Sequence, residues 1–354
     1  MQKSKGNVVI IDGYGFIFRA FFSLRDFKTS KNEPIGAVYG FINMLLKVIN
    51  TFDPKYIIVI FDSGKKSFRS DIYPEYKAHR KEAPDDLKPQ FSIVRDAVKA
   101  FNINYAEVEG FEADDLIATY AQFCKRNEMK SIIISSDKDL MQLAEDGIIE
   151  FYDPMKAKFI TEKDINLKFG VKAKQIVDFL AIVGDSSDNI PGVAGIGEKG
   201  ASELLNTYSN VEDIYNNLEN ITKSRLKNAL EKFKENAFLS KTLATLKFDV
   251  NVPSIEDFKF KNYKAEELFT FLNKYELKSL IAKLLPNYNI SQVDLFETQN
   301  TNIKKLEVTI NDEGDFNNFI NNIKDNEVIF KIEGDYLKME AKQEIANIEK
   351  WWAE

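Results

Sequence analysis

Short apolar runs rich in Val and Ile alternate with longer stretches of helical period through the first half of the chain. VVIID (residues 8–12), YIIVIFD (56–62) and SIIISSD (131–137) have the length and β-branched content of strands buried on both faces. AVYGFINMLLKVI (37–49), FSIVRDAVKAF (91–101) and DDLIATYAQFC (114–124) instead carry apolar residues at helical spacing. This alternation predicts an α/β domain around a mostly parallel sheet, since parallel strands need long crossovers and are covered on both sides. After about residue 165 the strand signal fades, and helical patterns continue to about residue 285. A polar stretch, NYNISQVDLFETQNTN (287–302), then precedes a strand, helix, strand pattern that starts at Leu306.

Three of the strand-like runs finish in or just before an aspartate: Asp12, Asp62 and Asp137. Ligand sites of open parallel sheets lie at the carboxyl ends of the strands, so these three positions are predicted to converge.

Composition narrows the class. The chain has 354 residues, a net charge of −7, one cysteine and one histidine. Cys124, alone in a helical pattern, can form no internal disulfide and fits a reducing compartment. No apolar run approaches the roughly 18 residues that cross a bilayer. A soluble, cytoplasmic protein with no membrane partner is expected. The negative net charge argues against wholesale adsorption to nucleic acid but leaves room for a local basic surface.

Acidic residues gather at two further places. GFEADDLIA holds Glu112, Asp114 and Asp115, and SSDKDLMQL holds Asp137 and Asp139 around a lysine. Acids at a helix start answer the macrodipole, which accounts for the first group by itself but not for the second. The two-residue spacing of Asp137 and Asp139 would place both on one side of an extended segment. Carboxylates brought this close raise one another's pKa unless a cation compensates, and oxygen-only donors suit Mg²⁺ or Mn²⁺. A single histidine and a single cysteine argue against zinc.

Downstream, Asp185 and Asp188 sit in a Gly/Ser/Asn-rich turn, and GVAGIGEKGASELL sets Gly192, Gly195 and Gly197 before a helix carrying Lys199. Turn chemistry alone explains the two acids; glycines ahead of a helix start also let backbone N–H groups approach an anion such as phosphate. Between the second strand and the next helix, Lys65, Lys66, Arg69, Lys77, Arg80 and Lys81 are interleaved with Phe68, Tyr73 and Tyr76. Such a run is often just a solvated face. Mixed with aromatics directly after a candidate ligand, it suits a single strand whose phosphates need neutralising and whose bases stack.

The motifs IIDGYGFIFRAFF, VIFDSGKKSFRSDIYPEYKAHR, GFEADDLIA, SSDKDLMQL and GDSSDNIPGVAGIGEKGA occur in an order and spacing that resemble the N-terminal 5′ nuclease domain of bacterial DNA polymerase I, a relative of flap endonucleases. The likeness covers roughly residues 5 to 285. It implies a PIN-like α/β catalytic domain over residues 1–180 with a helical arch at about 63–89, and a helix-hairpin-helix DNA-binding subdomain over 181–286. A linker over 287–303 and a partial 3′-5′ exonuclease-like remnant over 304–354 would follow. The implied activity is metal-dependent 5′-3′ exonuclease and flap endonuclease action on DNA flaps, nicks and free 5′ ends, in replication and repair, with an RNA primer as an alternative substrate. A monomer associated with the nucleoid is expected.

By position, Asp12, Asp62, Glu112, Asp114, Asp115, Asp137, Asp139, Asp185 and Asp188 match the family's metal-site acids. The resemblance places Asp12, Asp62, Glu112 and Asp114 nearest one ion, with the other five supporting it or holding a second. It implies that Lys77 and Arg80 contact the scissile phosphate and that Tyr76 stacks on a terminal base. Arg19, Lys65, Lys66 and Arg69 would be further DNA contacts, together with Gly192, Gly195, Gly197 and Lys199 at the hairpin, where K⁺ is a further candidate ligand. Gly200 departs from the family, which commonly has threonine there. In the tail, FKIEGD carries Glu333 where active 3′ exonuclease relatives have the glutamate of an Asp-x-Glu pair, but Lys331 replaces the aspartate. Neither proofreading nor polymerase activity is expected.

Two other classes compete. A binding module that had lost its chemistry would break the acidic set, in which no matched acid is missing. A phosphatase acting on small molecules would need neither the basic run nor the hairpin.

Overall fold

The strand-like runs form the middle of one sheet. In the computed structural model, which describes residues 7–154, 156–286, 288, 327–333 and 336–342, the strands are β1 (Val8–Asp12), β2 (Tyr56–Ile60), β3 (Tyr105–Ala106), β4 (Ser131–Ile134), β5 (Ile149–Asp153) and β6 (Lys158–Ile160). Their order is β3-β2-β1-β4-β5-β6, with only the β5/β6 pair antiparallel. Val8 pairs with Tyr56 on one side and with Ser131 on the other, which sets three strand ends side by side.

The absence of alternation in VVIID has a direct cause. Successive side chains point to opposite faces of the sheet, and Val8, Val9, Ile10 and Ile11 are all fully buried. Val8 and Ile10 pack with Leu116, Ile117 and Tyr120 of the helix Ala113–Arg126. The helices Gly13–Ser23 and Gly36–Phe52 pack against each other, and Gln90–Ala100 packs on the second of them. Cys124 is buried within the Ala113–Arg126 helix, where desolvation pushes its thiol up to about 12.

From Glu162 onward the described elements up to Leu284 are helical, as the fading strand signal predicts. The same apolar cluster that backs β1 continues through Ile176, Leu180, Leu204, Leu230 and Leu243. Met1–Pro286 is therefore one unit, and Asn287–Glu354 is a second. The segment over 63–89 holds the short helix Phe68–Ile72, with turns and extended chain in place of a longer helical arch. Among the described residues no helix is long and apolar enough to cross a membrane.

In the second unit, β7 (Glu327–Glu333) and β8 (Tyr336–Lys342) pair antiparallel, with Lys331 opposite Lys338 and Glu333 opposite Tyr336. β7 coincides with the second strand predicted for the tail. The first strand and the helix expected before it lie outside the described residues, as does nearly all of the polar stretch.

Candidate active site

Four carboxylates meet at the carboxyl edge of β2, β1 and β4. Asp12 ends β1 and caps the helix that follows, accepting the Gly15 N–H at 3.0 Å on Oδ1 and the Ser135 hydroxyl at 2.8 Å on Oδ2. Asp62, two residues past β2, accepts the Ala113 N–H at 2.8 Å, which ties that strand end to the start of the Ala113–Arg126 helix. Asp114 lies in the first turn of this helix, and Asp137 follows β4.

Burial raises Asp12 to about 6, with Asp137 and Asp62 adding to it, while Gly15 and Ser135 oppose the shift. Burial, then the charges of Asp137 and Asp12, raises Asp114 well above the ordinary carboxylate range. Asp62 is also raised by burial, against the Ala113 N–H and Lys77.

Asp137 and Asp139 do not share an extended segment. Asp139 opens the short 3₁₀ helix Asp139–Leu143, and its N–H donates to Asp137 Oδ1 at 2.8 Å. The short polar side chain of Asp137 captures the turn that extended spacing would have excluded. Burial, followed by the charge of Asp137, raises Asp139 to about 7, and its Oδ1 is buried with no hydrogen-bond partner.

The basic segment closes over these acids. Lys77 adopts a left-handed backbone (φ +57°), donates its N–H to the Asp188 carbonyl at 2.9 Å and sets Nζ 2.9 Å from Glu112 Oε2 and 3.5 Å from Asp188 Oδ2. Arg80 Nε donates to Asp188 Oδ1 at 3.1 Å. The Tyr76 hydroxyl lies 3.1 Å from Glu112 Oε2 and 3.3 Å from Asp188 Oδ2. Burial, Glu112 and Asp188 together push this phenol far above its ordinary value, so it stays a neutral donor. The tyrosine is only 6 % exposed and Lys77 Nζ sits 4.9 Å from its ring centroid, so the ring has little open face for a base. Its expected stacking role is not the one this placement favours.

Arg69 is further from expectation. It is 2 % exposed and forms a two-pronged pair with Asp115, Nη1 to Oδ2 at 2.7 Å and Nη2 to Oδ1 at 2.8 Å. Neither residue faces an incoming strand. The exposed cations lie elsewhere: Lys65 pairs with Glu109, and Lys66 and Arg19 are open to solvent.

Asp185 and Asp188 belong to a tight turn closed by reciprocal Asp185–Ile190 backbone bonds of 2.9 and 2.8 Å. Burial acts to raise Asp185, but Lys138 Nζ at 2.8 Å and the N–H and hydroxyl of Ser187 outweigh it and hold the carboxylate below its usual value. The helix Ile176–Val183 ends here, and Glu198–Thr207 begins after Gly197, giving the hairpin its two arms. Gly192 has φ +63°, and a Cβ on it would fall 2.4 Å from the Gly184 nitrogen, so the crossing needs glycine. Its N–H donates to the buried Ser240 hydroxyl at 2.9 Å. Gly195 (φ +91°) and Gly197 face open space, and Lys199 is exposed beside them.

Four contributors escaped sequence reading: Ser135 on Asp12, Ser67 on Glu112 (3.0 Å), Lys138 on Asp185, and Ser240 on the hairpin. Only Lys138 carried a signal, as a cation between two acids.

The donor set fits a hard divalent cation. Its donors are carboxylate oxygens that raise one another's pKa, and one buried oxygen of Asp139 is orphaned. Among the described residues no three acids converge at ligand distance; Lys77, Arg80 and Lys138 instead cover Glu112, Asp188 and Asp185.

Residues 7–170 match the family model of the 5′-3′ exonuclease N-terminal resolvase-like domain, and residues 171–266 match that of the 5′-3′ exonuclease C-terminal SAM fold. A 5′-3′ exonuclease of Aquifex aeolicus is 38% identical over 278 residues, which are 78% of this chain and 94% of that protein. DNA polymerase I of Caldicellulosiruptor bescii is 41% identical over 309 residues, 85% of this chain but 36% of the polymerase. The chain thus spans about a third of the length of such polymerases. Among solved structures, T5 5′-exonuclease with bound zinc ions aligns with a TM-score of 0.58 at 24% identity, over 77% of this chain and 98% of that one. The catalytic core of Rad2 in complex with a DNA substrate gives 0.52 at 14% identity, over 81% and 93%. At these identities the structural likeness speaks to the fold, while the family models and the Aquifex protein speak to ancestry: the chain belongs to the 5′-3′ exonuclease family.

Proposed function

We propose that the chain is a divalent-metal-dependent 5′-3′ exonuclease and flap endonuclease, hydrolysing DNA phosphodiesters at free 5′ ends, nicks and flap junctions during primer or flap removal. The observation that carries this reading is the convergence of Asp12, Asp62, Asp114 and Asp137 on one sheet edge beneath Lys77 and Arg80.

Asp12, Asp62, Glu112 and Asp114 hold one Mg²⁺ or Mn²⁺ ion, and Asp137, Asp139, Asp185 and Asp188 serve a second. When bound, such ions supply a hydroxide at neutral pH and stabilise the leaving oxygen of an in-line displacement. Lys77 and Arg80 move from Glu112 and Asp188 to the scissile phosphate, where fixed cations favour the charge that grows in the transition state. Gly195, Gly197 and Lys199 hold the duplex backbone without reading its sequence, with K⁺ at the same loop. Arg19, Lys65 and Lys66 neutralise phosphates further out. The protein works as a monomer, on DNA and on RNA primers annealed to it, in the cytoplasm at the nucleoid.

The test is cleavage of 5′-labelled flap, nicked and blunt duplexes with Mg²⁺, beside a generic phosphomonoester. Flap and nick cutting that EDTA abolishes is expected. Tight flap binding without cutting would make this a binding module, and turnover of the phosphomonoester alone would make it a phosphatase.

A further inference from the structure

Among the nine acids that the resemblance groups together, Glu112 and Asp188 also receive several protein donors, but theirs include the partly exposed Lys77 and Arg80, whereas Asp115 is held by a buried two-pronged arginine and two backbone N–H groups. An ionised carboxylate offers about four lone-pair positions, and protein donors fill all of them here. Oδ1 accepts Arg69 Nη2 at 2.8 Å and the Lys247 N–H at 2.9 Å. Oδ2 accepts Arg69 Nη1 at 2.7 Å and the Glu112 N–H at 3.2 Å. Asp115 is 0 % exposed. Arg69 spends its other donors on the Leu243 carbonyl (2.7 Å) and the Thr245 carbonyl (3.1 Å), with Nη1 also 3.4 Å from Glu112 Oε2. Asp139, by contrast, keeps a buried oxygen with no partner.

Resting on the nuclease reading above, we propose that Asp115 is a positioning residue and not an ion ligand. With Arg69 it forms a keystone between the base of the basic segment, the first turn of the Ala113–Arg126 helix and the chain at 243–247. The aim of Glu112 and Asp114 depends on that first turn, because Glu112 caps it and Asp114 lies inside it. The energetic logic favours orientation over stability. A buried ion pair regains little beyond its desolvation cost, yet losing one partner leaves the other charged and unmatched. The two-pronged geometry tolerates only one relative placement of the segments it joins.

Two readouts decide it. Mn²⁺ alone, titrated into the protein and followed by electron paramagnetic resonance, reports ion binding without catalysis; single-turnover flap cleavage at saturating Mg²⁺ reports alignment. Asp115→Asn is expected to keep Mn²⁺ affinity within about twofold while cleavage falls at least about tenfold and KM for the flap holds, a tenfold change in rate being about 1.4 kcal/mol of barrier. Asp114→Asn should weaken Mn²⁺ binding by more than about tenfold. Arg69→Lys, which keeps the charge and loses the fork, should reproduce the Asp115→Asn cleavage defect, and the double variant should be little worse than either single one. If Asp115→Asn weakens Mn²⁺ as strongly as Asp114→Asn does, or if cleavage is unchanged, the keystone assignment is wrong. Should Asp115→Asn not fold, Arg69→Lys carries the same decision, because an unaltered rate there overturns the proposal equally. If the wild-type chain cuts no flap, the nuclease reading fails on its own, while the Mn²⁺ titrations of Asp115→Asn and Asp114→Asn still settle whether Asp115 is an ion ligand.

Discussion

Lys77 Nζ rests 2.9 Å from Glu112 Oε2, and the lysine that makes this contact has a left-handed backbone at φ +57°. A non-glycine residue there carries roughly 1–2 kcal/mol of strain that the surrounding bonds must hold. The Lys77 N–H to Asp188 carbonyl bond, 2.9 Å, is one that does so. The turn thus aims an ammonium group at the acids before any substrate arrives.

Lys77→Ala should lower single-turnover flap cleavage by about 100-fold or more, since a cation beside the reacting phosphate acts mainly on the transition state. Lys77→Gly should lose as much activity while melting higher, because glycine relieves the left-handed strain. Exposed Lys81→Ala should weaken binding and flatten its salt dependence instead. Equal and mild losses for Lys77 and Lys81 would reduce the segment to a diffuse basic surface.

Asp114→Ala should cut cleavage by about three orders of magnitude, equivalent to about 4 kcal/mol of barrier, while flap affinity in a gel-shift assay stays within several fold. On the proposed reading, grip on the duplex rests on backbone amides and distant cations, which this change leaves in place. Unchanged turnover at saturating Mg²⁺ would remove Asp114 from the site.

Acid strength gives a test with a defined sign. Asp12 and Asp139 rise from 3.8 to about 6 and about 7, burial being the first cause in both. The folded, ion-free protein therefore binds these protons more tightly than the unfolded chain does. Their stabilising contribution is complete below the unfolded value of 3.8 and is lost as pH rises through the folded values of about 6 and about 7. A divalent ion held by these acids, as proposed, would replace those protons, so Mg²⁺ should raise the melting temperature strongly near pH 8 and little near pH 5. Equal increments at both values in a scanning calorimeter would separate the ion from these acids.

The hairpin glycines should divide by role. Gly192→Ala places a Cβ 2.4 Å from the Gly184 nitrogen and should destabilise the fold by about 2 kcal/mol or more. Gly195→Ala meets nothing within 4 Å, so only its φ of +91° opposes the change. Its melting point should fall less, and duplex affinity in low salt should fall more. The reverse ranking would mean that the Gly195 loop lies away from the backbone.

Why some of this was legible and some not has a physical basis. VVIID and YIIVIFD announce buried parallel strands because both faces must be apolar, and a parallel sheet then forces their terminal aspartates together. β3 has two residues, and β5 places a half-buried Glu150 in its run, so neither shows the same uninterrupted pattern. The helix Gly13–Ser23 went unread because its glycines and near-continuous apolar residues blur the period. Spacing carried Asp137 and Asp139 to the right place in the wrong conformation, since a side chain bonding to the backbone decided the turn. The Arg69–Asp115 pair was invisible for another reason. Three of its other partners, the Leu243 and Thr245 carbonyls and the Lys247 N–H, lie up to 132 residues beyond Asp115, and no local pattern records so distant a meeting.

That same separation imposes an order in time. Emerging from a ribosome at about 5–20 residues per second, the chain exposes Asp115 at least several seconds before Lys247. Through that interval the arginine and the aspartate have only each other and the neighbouring Glu112, and the carbonyls of Leu243 and Thr245 that complete their setting do not yet exist. A half-made chain therefore carries most of its acids in a frame that has not closed, and on the proposed nuclease reading cleavage would arrive late in synthesis, after the hairpin proposed to hold the strand has been made.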